Sequence, residues 1–171
     1  MIINKAQLNQ IQLGIMQGLD ISIYAKPEYD AGQMEQIRLG LAFGVDVSWY
    51  ANPKYCMEQM WQIRRGLEEG LDVAKYADTK YTWTQMAQIQ CGLKLGLNIS
   101  VYADPRYSAD QMGIIRCGLL KRIPVEEYAN PKYSCEQMHD IMKCLLICED
   151  AKQKIEQIKN GKCLEKGLRI W

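Results

Sequence analysis

The side chains best suited to bind a metal lie in the short segment 135–148, which contains Cys135, His139, Cys144 and Cys148. On a helix that turns about 100° per residue, Cys135 and His139 fall about 40° apart, whereas the other two cysteines face the opposite side. A structural zinc ion needs four ligands in a tetrahedral arrangement. Because one helix does not wrap these four side chains around a single ion, we expect no metal site here.

Catalytic motifs are equally scarce in this sequence. It contains one histidine, no phosphate-binding loop, no dinucleotide-binding glycine motif and no nucleophile elbow. The paired carboxylates Glu68 and Glu69 are expected on a solvated helix surface. The sequence therefore predicts a protein that is not an enzyme and that needs no cofactor.

Large aromatic residues are the strongest candidates for a binding surface. Phe43, Trp49, Trp61 and Trp83 occupy positions at which the corresponding parts of the sequence carry polar or small residues. A patch of exposed aromatic side chains is typical of an interaction surface. Packing between helices, or against a second copy of the chain, is the alternative. The favoured interpretation is a surface that binds a partner protein.

Two rows of basic residues suggest nucleic-acid binding as an alternative function. Tandem helical repeats can bind single-stranded RNA, but acidic residues interleave with both rows and the formal net charge is only +1. The first row comprises Arg38, Arg64 and Arg116, and the second comprises Lys54, Lys80, Arg106 and Lys132. Arg38, Arg64, Lys54 and Arg106 are therefore also candidate partner-contacting residues. A small-ligand sponge, which would need a concave polar pocket, is a third alternative.

The elements that carry these residues repeat every 26 positions. A glutamine followed by an apolar residue recurs at this interval, and each unit ends with a motif of the form Y-A-x-[PT]-x-Y, called the Y-A motif below. The glutamines are Gln7, Gln33, Gln59, Gln85, Gln111 and Gln137. A fixed period of this length is typical of stacked supersecondary units. The sequence predicts an all-α, right-handed-type solenoid of about five to six helix–turn–short-helix repeats with a helical C-terminal cap.

The second unit illustrates how each repeat is expected to fold. Asp30 and Gln33 have the spacing of a capping box, and Gly44 is placed to end the helix in the left-handed region. Gly40 lies inside the helix, where it costs about 1 kcal/mol relative to alanine, so we expect a neighbouring helix to approach too closely there for a side chain. Asp46 then caps a short helix of about one and a half turns. The predicted caps of the equivalent short helices are Asp20, Asp72 and Asn98. The predicted caps of the other long helices are Asn4, Cys56, Thr82, Ser108 and Ser134.

The repeat pattern also predicts the organisation of the chain. Residues 1–136 are expected to form five repeats, and residues 137–171 a divergent sixth repeat and a helical cap within the same domain. In that last part we expect one long or kinked helix over about 135–160, followed by a basic segment, Lys162–Trp171. Because Asn4 already has the position of a cap, we expect the chain to begin in register with the repeat.

Composition gives the remaining expectations. The seven cysteines are irregularly spaced, the first residues lack the layout of a signal peptide, and no apolar run is long enough to cross a membrane. We therefore expect free thiols, a cytoplasmic protein and no membrane partner. Association of the chain with copies of itself stays open.

The stretch Met34–Tyr55, MEQIRLGLAFGVDVSWYANPKY, resembles a short helical repeat of proteins from gut Firmicutes and their phages and mobile elements. The resemblance extends over about Asn4 to Met142, and the fifth unit departs from it at Arg122 and Pro124. It carries no catalytic residues. What it implies is a phage or mobile-element context, in which the protein would inhibit a bacterial defence nuclease, as anti-CRISPR proteins do.

Overall fold

Six long α-helices form the framework of the computed structural model, which describes residues 2–147, 155–156 and 158–160. The helices are α1 (Lys5–Met16), α2 (Ala31–Phe43), α3 (Met57–Glu68), α4 (Trp83–Lys94), α5 (Ala109–Leu120) and α6 (Cys135–Ile147). Each begins 26 residues after the one before it. No strand occurs in this part of the chain, so the predicted all-α class is confirmed.

A 3₁₀ helix of three residues follows each of the first five long helices. These are Ile21–Ile23, Val47–Trp49, Val73–Lys75, Ile99–Val101 and Val125–Glu127. They are shorter than the one and a half turns that we predicted. The short helices end early because the backbone leaves the helical region at the first tyrosine of the Y-A motif. Tyr50, for example, has φ −140° and ψ −6°.

The predicted caps of these short helices are confirmed at three places and wrong at one. Asp46 and Asn98 each accept a hydrogen bond from the amide two residues later, as Asp20 does. Asp72 makes no side-chain cap bond. Where the other three units carry a serine two residues after the cap, this unit carries Ala74. The Asp72 carboxylate lies instead 3.9 Å from the ammonium group of Lys75.

The recurring glutamine closes the predicted capping boxes and also joins consecutive repeats. In α2 the amide of Gln33 donates to the Asp30 carboxylate at 2.8 Å, and the Asp30 amide donates to Gln33 Oε1 at 2.8 Å. Gln33 Nε2 then donates to the carbonyl of Tyr55 at 2.6 Å. Cys56 offers only a sulfur atom, a weak acceptor, as the side-chain cap, yet its amide still donates to Gln59 at 2.9 Å. The glutamine is thus a cap with a second, long-range partner that the sequence analysis missed.

The glycine inside each of the first five long helices makes room for a tyrosine, and not for the neighbouring helix that we expected. A Cβ atom on Gly40 would lie 1.8 Å from the hydroxyl of Tyr50. Tyr50 is completely buried and donates to the Gln36 carbonyl at 3.1 Å. The helix end is as predicted: Gly44 has φ 70°, and the Val45 amide donates back to the Gly40 carbonyl.

The chain divides into two compact units, Met1–Gln90 and Cys91–Trp171. In the first unit α1 packs on α2 and α2 on α3. In the second, α5 packs on α6. Completely buried methionines and isoleucines of the long helices form the core of each unit, namely Met34, Ile37, Met60, Ile63, Met86 and Ile89 in the first and Met112, Ile115, Met138 and Ile141 in the second. The expected boundary at residue 136 stays a prediction.

The C-terminal predictions fall largely outside the described residues. Helix α6 is described as far as Ile147, and residues 155–156 and 158–159 are helical. Whether one helix spans 135–160, and what Lys162–Trp171 forms, lies beyond the described part of the chain. Lys159 donates to the Glu127 carboxylate at 3.0 Å. Within the described residues, none of the helices combines the length and apolarity needed to cross a bilayer.

Candidate protein-binding surface

Two of the predicted aromatic residues line one pocket in the first compact unit. Its volume is about 250 Å³, and its walls are Gln36, Met57, Glu58, Trp61 and Trp83. Trp61 is 37% exposed and Trp83 46% exposed. Trp61 lies one helical turn after Met57 on α3, whereas Trp83 is the first residue of α4. The pocket therefore collects side chains from three consecutive long helices.

The inner wall of the pocket is fixed by close contacts. Gln36 is only 6% exposed, and its side-chain oxygen accepts a hydrogen bond from Arg64 Nε at 3.1 Å. The sulfur of Met57 lies 2.5 Å from the place that a Cβ atom on Gly32 would occupy. Met57 thus lies against α2 because residue 32 has no side chain. These contacts hold one wall in place while both tryptophans remain accessible.

The charge of the pocket comes from one carboxylate. Glu58 lies in the first turn of α3 and is exposed. Hydrogen bonds to its own backbone amide and to the Cys56 thiol hold the pKa of Glu58 below its usual value, so the group is ionised at neutral pH. No lysine or arginine is among the five residues that line the pocket. The surface is therefore apolar with a single negative group at its edge.

The other two predicted aromatics do not share this pocket. Trp49 lies on a 3₁₀ helix and is 42% exposed, and Phe43 is 65% exposed at the end of α2. The guanidinium carbon of Arg64 lies 6.0 Å from the centroid of the Phe43 ring. Neither residue lines the pocket. The four aromatics are therefore exposed, as a binding surface requires, but only Trp61 and Trp83 are brought together.

The first basic row is largely enclosed. Arg38 and Arg64 are each 7% exposed. Arg38 donates to Gln10 at 2.9 Å and to Gln17 at 2.8 Å, both on the preceding helix or its end. Arg64 forms an ion pair with Glu68 in addition to its bond to Gln36. These two arginines link one long helix to the next, and their charge is not presented to solvent as the sequence suggested.

The second basic row is exposed, and two of its four charges lie beside carboxylates. Arg106 contacts Asp104 at 2.6 Å, and Lys80 contacts Asp78 at 3.1 Å. Lys54 is exposed, and its amide donates to the side chain of Asn52. Each of these two acids lies two residues before its base, whereas Asn52 and Asn130 take that place before Lys54 and Lys132. The row is therefore not a continuous positive stripe, because two of its four bases lie beside acids.

The three described residues considered for metal binding, Cys135, His139 and Cys144, do not form a site for an ion. Among the described residues, no group of three or more histidine, cysteine, aspartate or glutamate side chains could hold a metal ion. Cys144 is buried and Cys135 lies 3.9 Å from the hydroxyl of Ser108, while Cys148 lies outside the described residues.

Three residues of the pocket were missed by the sequence analysis. Comparing Gln36, Met57 and Glu58 with their equivalents one repeat away does not reveal which residues of adjacent helices meet, so it gave no reason to group them. No family model, curated protein or solved structure matches the chain.

Proposed function

We propose that this chain is a non-enzymatic repeat protein that binds another protein, and that the pocket between Trp61 and Trp83 is the centre of the binding surface. The observation that carries the proposal is the exposure of both rings around one cavity. Tryptophan and methionine are enriched in the buried centres of protein interfaces. The wall formed by Gln36 and Met57 is held in place, and the rings of Trp61 and Trp83 are accessible beside it, so a partner side chain could be inserted here.

The size of the pocket favours a partner protein over a free small molecule. Sites for drug-sized ligands have volumes of roughly 300–1,000 Å³, whereas this pocket has about 250 Å³. Its carboxylate would repel the phosphates of a nucleotide. A single side chain inserted by a partner protein therefore suits this space better than a nucleotide does, which argues against the small-ligand sponge.

Nucleic acid is the weaker alternative. Binding to a phosphate backbone depends on lysine and arginine side chains that neutralise phosphates. Arg38 and Arg64 are enclosed, while Lys80 and Arg106 lie beside carboxylates. These contacts reduce the positive charge that the two rows present to solvent, although Lys54 and Lys132 are exposed.

The narrower parts of the proposal depend on the resemblance of Met34–Tyr55 to a repeat of phages and mobile elements. On that basis the partner would be a bacterial defence nuclease, which the protein would inhibit in the cytoplasm. We also propose that the 26-residue repeats stack as a right-handed α-solenoid closed by a C-terminal cap. The recurrence of the same glutamine bonds in both compact units supports this arrangement.

Affinity capture from a host lysate, followed by mass spectrometry, tests the main proposal. We expect the wild-type protein to retain a stoichiometric partner and the variant Trp61→Ala/Trp83→Ala to bind that purified partner at least about tenfold less tightly. Trp49→Ala is the matched control, since Trp49 has a similar exposed fraction but lies outside the pocket. Failure to retain any partner, or equal retention by the double variant, would contradict the proposal. Circular dichroism checks that each variant is folded.

A further inference from the structure

We infer that the pocket receives the cationic side chain of an arginine or lysine from a basic segment of the partner protein. The inference rests on the proposed function and adds the chemistry of the partner. It follows from three features of the first compact unit: two accessible indole rings, one carboxylate at their edge, and a cavity sized for a single side chain.

The aromatic rings of this chain already attract guanidinium groups. The guanidinium carbon of Arg65 lies 5.1 Å from the centroid of the Trp61 ring. A cation within about 6 Å of a ring centroid is attracted by the negative face of the ring, and tryptophan is the best of the aromatic side chains for this purpose. Arg65 is not among the residues that line the pocket, so its guanidinium group does not occupy the cavity.

Glu58 decides which kind of side chain fits best. Docking of any partner removes water from the pocket edge, and a carboxylate that loses water without gaining a counter-charge is destabilised. A leucine or phenylalanine anchor would impose that cost. A guanidinium or ammonium group would instead pair with Glu58, while its methylene stem lies along Met57 and Trp83.

The test is a titration followed by the indole N–H signals in an NMR spectrum. The probe is N-acetyl-arginine methylamide, and its neutral isostere, N-acetyl-citrulline methylamide, is the comparison. We expect the Trp61 and Trp83 signals to shift saturably with the arginine derivative, and the citrulline derivative to bind about two- to fivefold less tightly. The Trp49 signal serves as the internal control and should stay in place.

A charge-matched pair of variants isolates the carboxylate. Glu58→Gln is expected to weaken binding of the arginine derivative about two- to fivefold, whereas Glu28→Gln, an exposed acid outside the pocket, should leave it unchanged. Equal binding of the two derivatives, an unaltered affinity of Glu58→Gln, or absence of shifts at Trp61 and Trp83 would each overturn the inference.

The two proposals fail in different ways. If the captured partner still depends on Trp61 and Trp83 but Glu58→Gln binds it as tightly as the wild type does, the cation inference is wrong and the protein-binding function stands. If the double tryptophan variant keeps the partner, the proposed function itself is wrong. A proteolytic fragment of the partner that binds and contains no arginine or lysine would also overturn the inference alone.

Discussion

Replacing Gly40 with alanine is expected to destabilise the protein, although alanine is the better helix former by about 1 kcal/mol. The new Cβ atom would lie 1.8 Å from the hydroxyl of Tyr50 and 2.9 Å from Cγ1 of Val47. Tyr50 is completely buried, so its rigid ring has no solvent-filled space to move into. The tyrosine contact therefore outweighs the gain in helix propensity.

The magnitude follows from the movement that the substitution requires. The Tyr50 hydroxyl must retreat by about 1.6 Å, from 1.8 Å to the 3.4 Å of an ordinary contact, and this breaks its 3.1 Å hydrogen bond to the Gln36 carbonyl. Overpacking costs about 1–3 kcal/mol, and the lost hydrogen bond about 0.5–1.5 kcal/mol. After the gain in propensity is subtracted, the free energy of unfolding should fall by about 2 kcal/mol.

Thermal and urea denaturation, followed by circular dichroism, measure the effect. For a chain of this size about 2 kcal/mol corresponds to a decrease in Tm of about 4–8 °C. Tyr50→Phe removes the hydroxyl and leaves the ring carbon Cζ, 3.1 Å from the position of the added Cβ, as the nearest atom of the ring. In that background Gly40→Ala should therefore cost at least about 1 kcal/mol less.

Gly44→Ala is the control for a glycine that is needed for a different reason. No atom lies within 4 Å of its added Cβ, but its φ of +70° is unfavourable for alanine, at a cost of about 1–2 kcal/mol. Tyr50→Phe should not relieve that cost. The reasoning is refuted if Gly40→Ala is as stable as the wild type, or if it loses the same stability whether residue 50 is tyrosine or phenylalanine.

Three further predictions concern the caps and the buried tyrosines. Gln59→Ala should lower the free energy of unfolding by about 1–3 kcal/mol, since the Cys56 amide and the Tyr81 carbonyl lose their partner; an unchanged urea midpoint would contradict this. Cys56→Ser should raise stability by about 0.5–1 kcal/mol by supplying a cap oxygen, seen as a higher Tm. Burial raises the pKa of Tyr102 and Tyr128 to about 12. Because the pKa of each tyrosine in the folded protein exceeds the ordinary value of 10.0, its contribution to the free energy of unfolding is complete below pH 10 and is lost as the pH rises towards 12. Ultraviolet titration of tyrosinate measures this, and ionisation of all tyrosines near pH 10 would contradict it.

The local structure of each repeat could be predicted because its causes lie within a few residues. The box of Asp30 and Gln33 and the left-handed end at Gly44 depend only on nearby backbone groups. The burial of Arg38 could not be predicted, because an arginine side chain is ordinarily exposed. Arg38 is buried because Gln10 and Gln17 supply acceptors for its guanidinium group, and a buried charge is tolerated when it is hydrogen-bonded.

The pocket could not be predicted, because it depends on how far adjacent long helices are offset. Comparing residues 26 apart treats Trp49, Trp61 and Trp83 simply as three departures from the repeat. In the structure, the first residue of α4 meets a residue one turn into α3, so Trp83 and Trp61 share a pocket at a separation of 22. The bond from Gln59 to the Tyr81 carbonyl spans the same 22 residues. Pairs of aromatic residues at this separation, and not at the repeat length, are therefore the sequence signal for such a pocket, and Trp49 has no aromatic partner at residue 71.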